Sequence, residues 1–344
     1  MADTRPTTER APYGRHAVPV LGTVRSDAPP ATYYGQPAVK KSHYGWLIAI
    51  YLFVGGSAGA VQLIAQLADL LGSKQDRSVA RVGRYLALIG SLVSPVLLIK
   101  DLHAPSRWYN MLRIFRSTSP MSIGSWTLAT FGILSGLAAA GQALEDLFGA
   151  TLGRRLARTF GIPAAAAGAV MSVYTGTLLA ATSTPLWSVA YHELPPLFGS
   201  SAVATATALL SLVLEITGAS RSTHARLARV GLLASGAQLV CASAAESTWR
   251  RAGLGGSLEQ QPTATMYRLV VVALGMIAPG LIHGMHVLSG RRSPLVSTLA
   301  ALATLAGGVA ERVVVVRAGN ESSQRPEDYF RITKHDVSGP RSGR

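Results

Sequence analysis

What most restricts the folding of this chain is a series of apolar runs about twenty residues long, each sufficient to cross a ~30 Å hydrocarbon core as an α-helix. About eight of them occur, near residues 46–71, 83–99, 123–144, 162–183, 197–217, 227–245, 267–289 and 294–316. Lipid offers a peptide group no hydrogen-bond partner, so each run must satisfy its own backbone as a helix. The predicted fold is an all-α integral membrane protein with about eight transmembrane helices. Composition agrees, since 49% of the 344 residues are hydrophobic, 14% are charged and the mean hydropathy is +0.30, beyond the usual soluble range. The chain divides into a polar, Pro-rich tail (1–45), a membrane domain (46–316) and a second polar tail (317–344). The first tail lacks the apolar core of a secretory leader and reads as a surface-lying or disordered segment.

The formal charge of +15 is scattered over loops and tails, so nucleic acid is not an expected partner and membrane lipid is. An even number of spans places both tails on one side and sorts the loops into two sets. One set carries Lys74, Arg77, Arg81 and Arg84, then Arg154, Arg155 and Arg158, then Arg221, Arg226 and Arg229, then Arg291 and Arg292. The positive-inside rule assigns that set to the cytoplasm. Both termini are then expected on the extracytoplasmic side of a bacterial plasma membrane. Trp46, Trp108, Trp126, Trp187 and Trp249 all lie near helix ends on the tail side. A lipid belt would decorate both faces, so this side is expected to carry a docking or ligand surface, with Trp108, Trp126 and Trp187 as docking residues.

Polar side chains inside lipid are costly unless they face protein or water. In the first span Tyr51, Gly55, Gly59, Gln62, Gln66 and Asp69 follow at three- or four-residue steps, which stacks them on one face. In the third span Ser135, Ala138, Gln142 and Glu145 do the same. Two readings stay open. The row is either close packing with interhelical hydrogen bonds, or a wetted stripe in which Gln62, Gln66, Asp69, Gln142 and Glu145 pass protons. Each acid could equally pair with a loop arginine such as Arg154 or Arg158.

On the tail side Tyr51, Asp101, Trp126, Tyr174 and Thr177 fall at one level on four consecutive spans. A quinone headgroup needs hydrogen-bond partners for two carbonyl oxygens, a proton route and an apolar channel. Residues of these types meet those needs. One cysteine, Cys241, allows no internal disulfide, four-thiolate cluster or CxxCH haem attachment. His283 and His286 share one span and offer no cross-helix pair for a haem. No haem or iron-sulfur cluster is expected in this chain. No P-loop, HExxH or nucleophile elbow occurs.

The segment KDLHAPSRWYNMLRIFRSTSPMSIGSW (100–126), dense in charge, aromatics and proline, is the most specific of the chain. With YYGQP (33–37), AIYLFVGGSAGA (49–60), YTGTLLAATSTPLW (174–187), HELPPLFGSSA (192–202) and ERVVVVRAGNESSQRPEDY (311–329), it resembles the NrfD/PsrC-type membrane subunits of polysulfide reductase and related complexes. The resemblance implies two four-helix bundles and exchange of electrons with membrane quinone, either menaquinone or ubiquinone. It also implies a ferredoxin-like iron-sulfur partner on the outer face, joined to a molybdopterin catalytic subunit, and no redox metal in this chain. Its quinone pocket maps onto Tyr51, Asp101, Arg107 and Tyr174. The sequence departs from the family where many relatives read DLGRP: here DLHAP puts His103 and Ala104 beside the proposed headgroup. Arg107 would then orient Asp101 or steady negative charge, and His103 would share proton handling. The alternatives are a purely structural anchor and, less favoured, a solute or ion carrier using the stripe from Tyr51 to Asp69.

Overall fold

The computed structural model describes residue 37 and residues 39–333. Among them every regular element is helical, and eight helices are long and apolar enough to cross a membrane. They are α1 Trp46–Leu71, α2 Arg77–Lys100, α3 Pro120–Phe148, α4 Thr151–Ala180, α5 Leu194–Thr217, α6 Arg221–Arg251, α7 Thr263–Ser289 and α8 Pro294–Gln324. A short helix, α9 Pro326–Thr333, follows. The expected tails lie partly outside the described residues. Residues 317–333 are helical apart from the break at Arg325.

Local chemistry sets the helix ends. Pro120 and Pro294 occupy the first turns of α3 and α8, where a missing N–H costs nothing. Ser119 and Ser220 accept from the first-turn N–H groups of Ser122 and Thr223 at 3.4 and 3.1 Å. Gly149 and Gly290, both at φ 64°, close α3 and α7 in the left-handed region.

Helices α1 to α4 each pack on the next and α4 returns to α1, while α5 packs on α6 and α8, α6 on α7, and α7 on α8. Helix α5 also packs on α1, α2 and α4, and α8 on α1. Lipid supplies no hydrophobic drive between helices, so small residues that let backbones approach carry the packing. A side chain at Gly59 would put its Cβ 2.2 Å from the Gly168 carbonyl oxygen of α4. One at Gly275 of α7 would sit 2.6 Å from the Gly307 Cα of α8. Between α1 and α5, the Ser57 and Thr205 hydroxyls bond at 2.8 Å.

The helix starts and stops bring the tryptophans to one end. Asn320 Nδ2 donates to the Tyr44 carbonyl at 2.8 Å, tying the end of α8 to the start of α1. Trp187 Nε1 donates to the Val315 carbonyl and Trp249 Nε1 to the Leu186 carbonyl, each at 2.8 Å. The opposite end carries the short, arginine-rich loops.

Candidate functional site

At the tryptophan end, Tyr51 lies on the second turn of α1 and Tyr174 near the end of α4. Both are buried in one cluster with Ile48, Leu52 and Met171. The Tyr174 hydroxyl donates to the Pro120 carbonyl at 2.5 Å. Its ring fills the space beside Gly124, where a Cβ would fall 2.1 Å from that hydroxyl. Asp101 follows the last turn of α2 and is half-buried. Burial raises its carboxyl above the usual carboxylate range, opposed by the nearby His103 and His43. Those two imidazoles meet edge to face with centroids 5.1 Å apart. Tyr44 stacks on Trp187 at 5.9 Å, and burial together with the Asp101 charge pushes its hydroxyl pKa up.

Tyr51 and Tyr174 thus share one cluster, and His103 accompanies Asp101. His43 and Tyr44, which precede the first span, join them; their position beside a long helix was the available signal. Three expected residues lie elsewhere. Arg107 sits in the exposed turn Pro105–Leu112 and forms no ion pair with Asp101 among the described residues. The Asp101 carboxyl interacts instead with the two histidines. Thr177 faces outward from α4, its hydroxyl turned back to the Val173 carbonyl at 3.3 Å. Trp187 is 0% exposed; the chain after α4 folds back as the short helix Pro185–Val189 and carries the indole inside. It is therefore a packing residue rather than part of a docking surface.

Trp108 and Trp126 do reach the surface, at 45% and 37% exposure. Phe115 meets Trp126 edge-on at 6.2 Å. The loop is stitched onto α3 by Ser122, which accepts from the Arg116 N–H at 2.9 Å, and by Ser125, which donates to the Met111 carbonyl at 3.1 Å. Under it lies a cavity of about 540 Å³ bounded by Leu102, Asn110, Arg113, Arg116, Met121 and Ser125.

At the arginine end, Asp69 accepts from Arg84 Nη2 and Arg158 Nε, both at 2.9 Å. Arg84, itself buried, also donates to Gln142 Oε1 at 2.6 Å. Gln142 Nε2 donates to Glu145 at 3.2 Å and to Asp146 at 3.0 Å, and Arg154 stands 4.0 Å from Glu145. Asp146 further accepts from Arg81 Nε and the Tyr85 hydroxyl, both at 2.8 Å. All of these residues except Arg158 border a cavity of about 810 Å³, larger than the one under the loop and at the other end of the helices. Arg84 and Asp146 complete a network whose acids are each matched by arginine.

A second polar centre lies among α5, α6 and α8. Glu311 and Arg312 of α8 are both buried and pair with each other. Ser201 donates to Glu311, and Gln238 Nε2 does so at 3.4 Å. Arg312 Nη2 donates to the Phe198 carbonyl at 3.1 Å, with its guanidinium 3.8 Å from that residue's ring centroid. These are the two charges inside the run 294–316, so the cost of charge in lipid marks them without any structure.

Eight spanning helices with polar groups gathered at both ends define a multi-pass integral membrane protein. Residues 37–322 match the family model described as "Polysulphide reductase, NrfD". The chain belongs to this NrfD family, whose members are membrane subunits of polysulfide reductase and related complexes and associate with redox enzyme subunits. A search of curated proteins gave no match to the chain.

Proposed function

We propose that this chain is the quinone- or quinol-reacting membrane subunit of an oxidoreductase complex, exchanging electrons between the quinone pool and an iron-sulfur partner. The observation that carries the reading is the half-buried Asp101 grouped with His43, His103 and Tyr44 beside the Tyr51 and Tyr174 cluster. Among the described residues, no hydrogen bond occupies the Asp101 carboxyl or the Tyr51 hydroxyl. Leu97, Leu98, Ile48 and Leu178 add apolar walls. Such a donor set suits a headgroup with two carbonyl oxygens and an isoprenoid tail, whether menaquinone or ubiquinone. A bound quinone would supply the two-electron, two-proton couple. Asp101, its protonated form favoured by burial, holds or accepts a proton at its carboxyl oxygen, and His103 with His43 exchanges it with solvent. Tyr51 positions and donates a hydrogen bond.

The partner of this reading is a ferredoxin-like iron-sulfur subunit, itself bound to a molybdopterin catalytic subunit. It would seat on the loop surface formed by Trp108, Tyr109, Ile114, Phe115 and Trp126, all of them exposed, with Arg107 and Arg113 at its edge. Aromatic and arginine side chains are enriched at such interfaces. The arginine-rich loops at the opposite end support a reading in which the tryptophan end faces the extracytoplasmic side of a bacterial plasma membrane.

Gentle purification of the complex followed by solvent extraction is expected to recover stoichiometric quinone, with retention lowered in Asp101→Asn. A complex that retains none, and whose turnover no headgroup analogue inhibits, would leave the chain a structural anchor.

A further inference from the structure

The polar row of α1 is not one continuous stripe. From Asp69 the face runs inward through Gln66 and Gln62, a rise of about 10 Å over seven residues. Both glutamines are buried, and all four of their side-chain nitrogen and oxygen atoms lack a hydrogen-bond partner. The Ser135 hydroxyl of α3 and Arg84 Nε are buried and unpartnered as well. Gln66 reaches the backbone of α4, where a Cβ on Gly161 would meet its Oε1 at 2.1 Å. Buried amides and hydroxyls are almost always satisfied, by protein or by water. A group of this size behind the 810 Å³ cavity of Asp69, Arg84 and Gln142 therefore points to water reaching past the cavity floor.

One turn beyond Gln62 the polar character stops. Gly59 and Gly168 meet backbone to backbone, each carbonyl oxygen within 2.6 Å of the other residue's ideal Cβ position. Phe131, 0% exposed, packs there with Ala58 and Val61. Ser57 and Ser172 on the far side are already bonded, to Thr205 at 2.8 Å and to the Gly56 carbonyl at 3.0 Å.

We infer that α1, α2, α3 and α4 enclose a hydrated, dead-ended proton-access pocket that enters at the arginine end and stops at the Gly59 and Gly168 contact. Its ligand is water and the protons water carries. Asp69, Glu145 and Asp146 oppose anions, while Arg84, Arg154 and Arg158 oppose cations. The amides beyond them offer hydrogen bonds without net charge. The inference does not depend on quinone binding at the other end, and its test reads hydration rather than turnover.

Single cysteines are introduced on a Cys241→Ala background at Gln62, Ser135, Ala138 and Ser57, in the full complex in membranes. A small, uncharged, water-soluble, thiol-specific reagent is added from the arginine side. Only ionised thiols in contact with water react well, so Gln62→Cys, Ser135→Cys and Ala138→Cys are expected to react roughly tenfold or more faster than Ser57→Cys. Ala138→Cys is a mild change on the same face and keeps the test valid if a glutamine variant fails to fold. Unreactive cysteines at 135 and 138 would show a dry interior and overturn the inference. Equal reactivity at 57 would overturn it too, by showing a channel open past the glycine contact.

Discussion

Asp101→Asn is expected to lower quinone-linked turnover about 100-fold, the scale of a lost general acid or base, while leaving the assembled complex intact. The carboxyl is half-buried and accepts no hydrogen bond among the described residues, so the amide removes proton chemistry without opening a structural contact. His103→Ala should give a smaller loss and displace the pH profile, because one of the two imidazoles opposing the raised Asp101 pKa is gone. Tyr174→Phe separates chemistry from packing. Its hydroxyl is committed to the Pro120 carbonyl, so its removal is expected to cost about 0.5–1.5 kcal/mol of stability with a modest change in turnover. Steady-state turnover with a soluble quinol analogue, normalised to complex recovered, checks all three. Unchanged turnover in Asp101→Asn would remove the carboxyl from the reaction.

The second large effect is on folding. Arg312→Met leaves Glu311 buried with Ser201 and Gln238 but without its counter-charge. Breaking a buried ion pair from one side costs about 3–5 kcal/mol, so the single variant is expected to lose most of its folded yield in mild detergent. The double replacement Glu311→Met with Arg312→Met removes both charges and should recover much of that loss. The pair joins α8 to α5 and α6, so thermal unfolding followed by size-exclusion chromatography is a suitable readout. Recovery no better than the single variant would mean that shape, not charge, makes the centre indispensable.

Much of the fold was legible because hydropathy measures the lipid-facing middle of each helix. The starts of α1 and α8 and the end of α7 were read directly. Ends rich in charge were read short: α4 begins at Thr151, not 162, and α6 extends to Arg251 rather than 245. Beyond the hydrocarbon a helix needs no apolar residues, and Arg158 on the unread turn of α4 is one of the two arginines that reach Asp69. Periodicity also aligned Gln62, Gln66 and Asp69 on one face. It could not show that Gly59 touches Gly168 and interrupts that face, because the contact belongs to a partner helix. Trp187 misled for a related reason. An indole near a helix end ordinarily suits the headgroup layer, but the fold-back of residues 185–189 turns this one inward. His43 falls within the polar stretch 1–45, where hydropathy carries no signal, although its ring packs on His103.

The claim on which this account turns is that a quinone headgroup sits at the tryptophan end among α1, α2 and α4. Photolabelling of the intact complex with an azidoquinone, followed by peptide mapping, tests it most directly. Labelled peptides spanning residues 43–51 and 101–103, protected by excess unlabelled quinone, are the predicted result. Protectable label confined to α6 and α7, or to the arginine end, would contradict it.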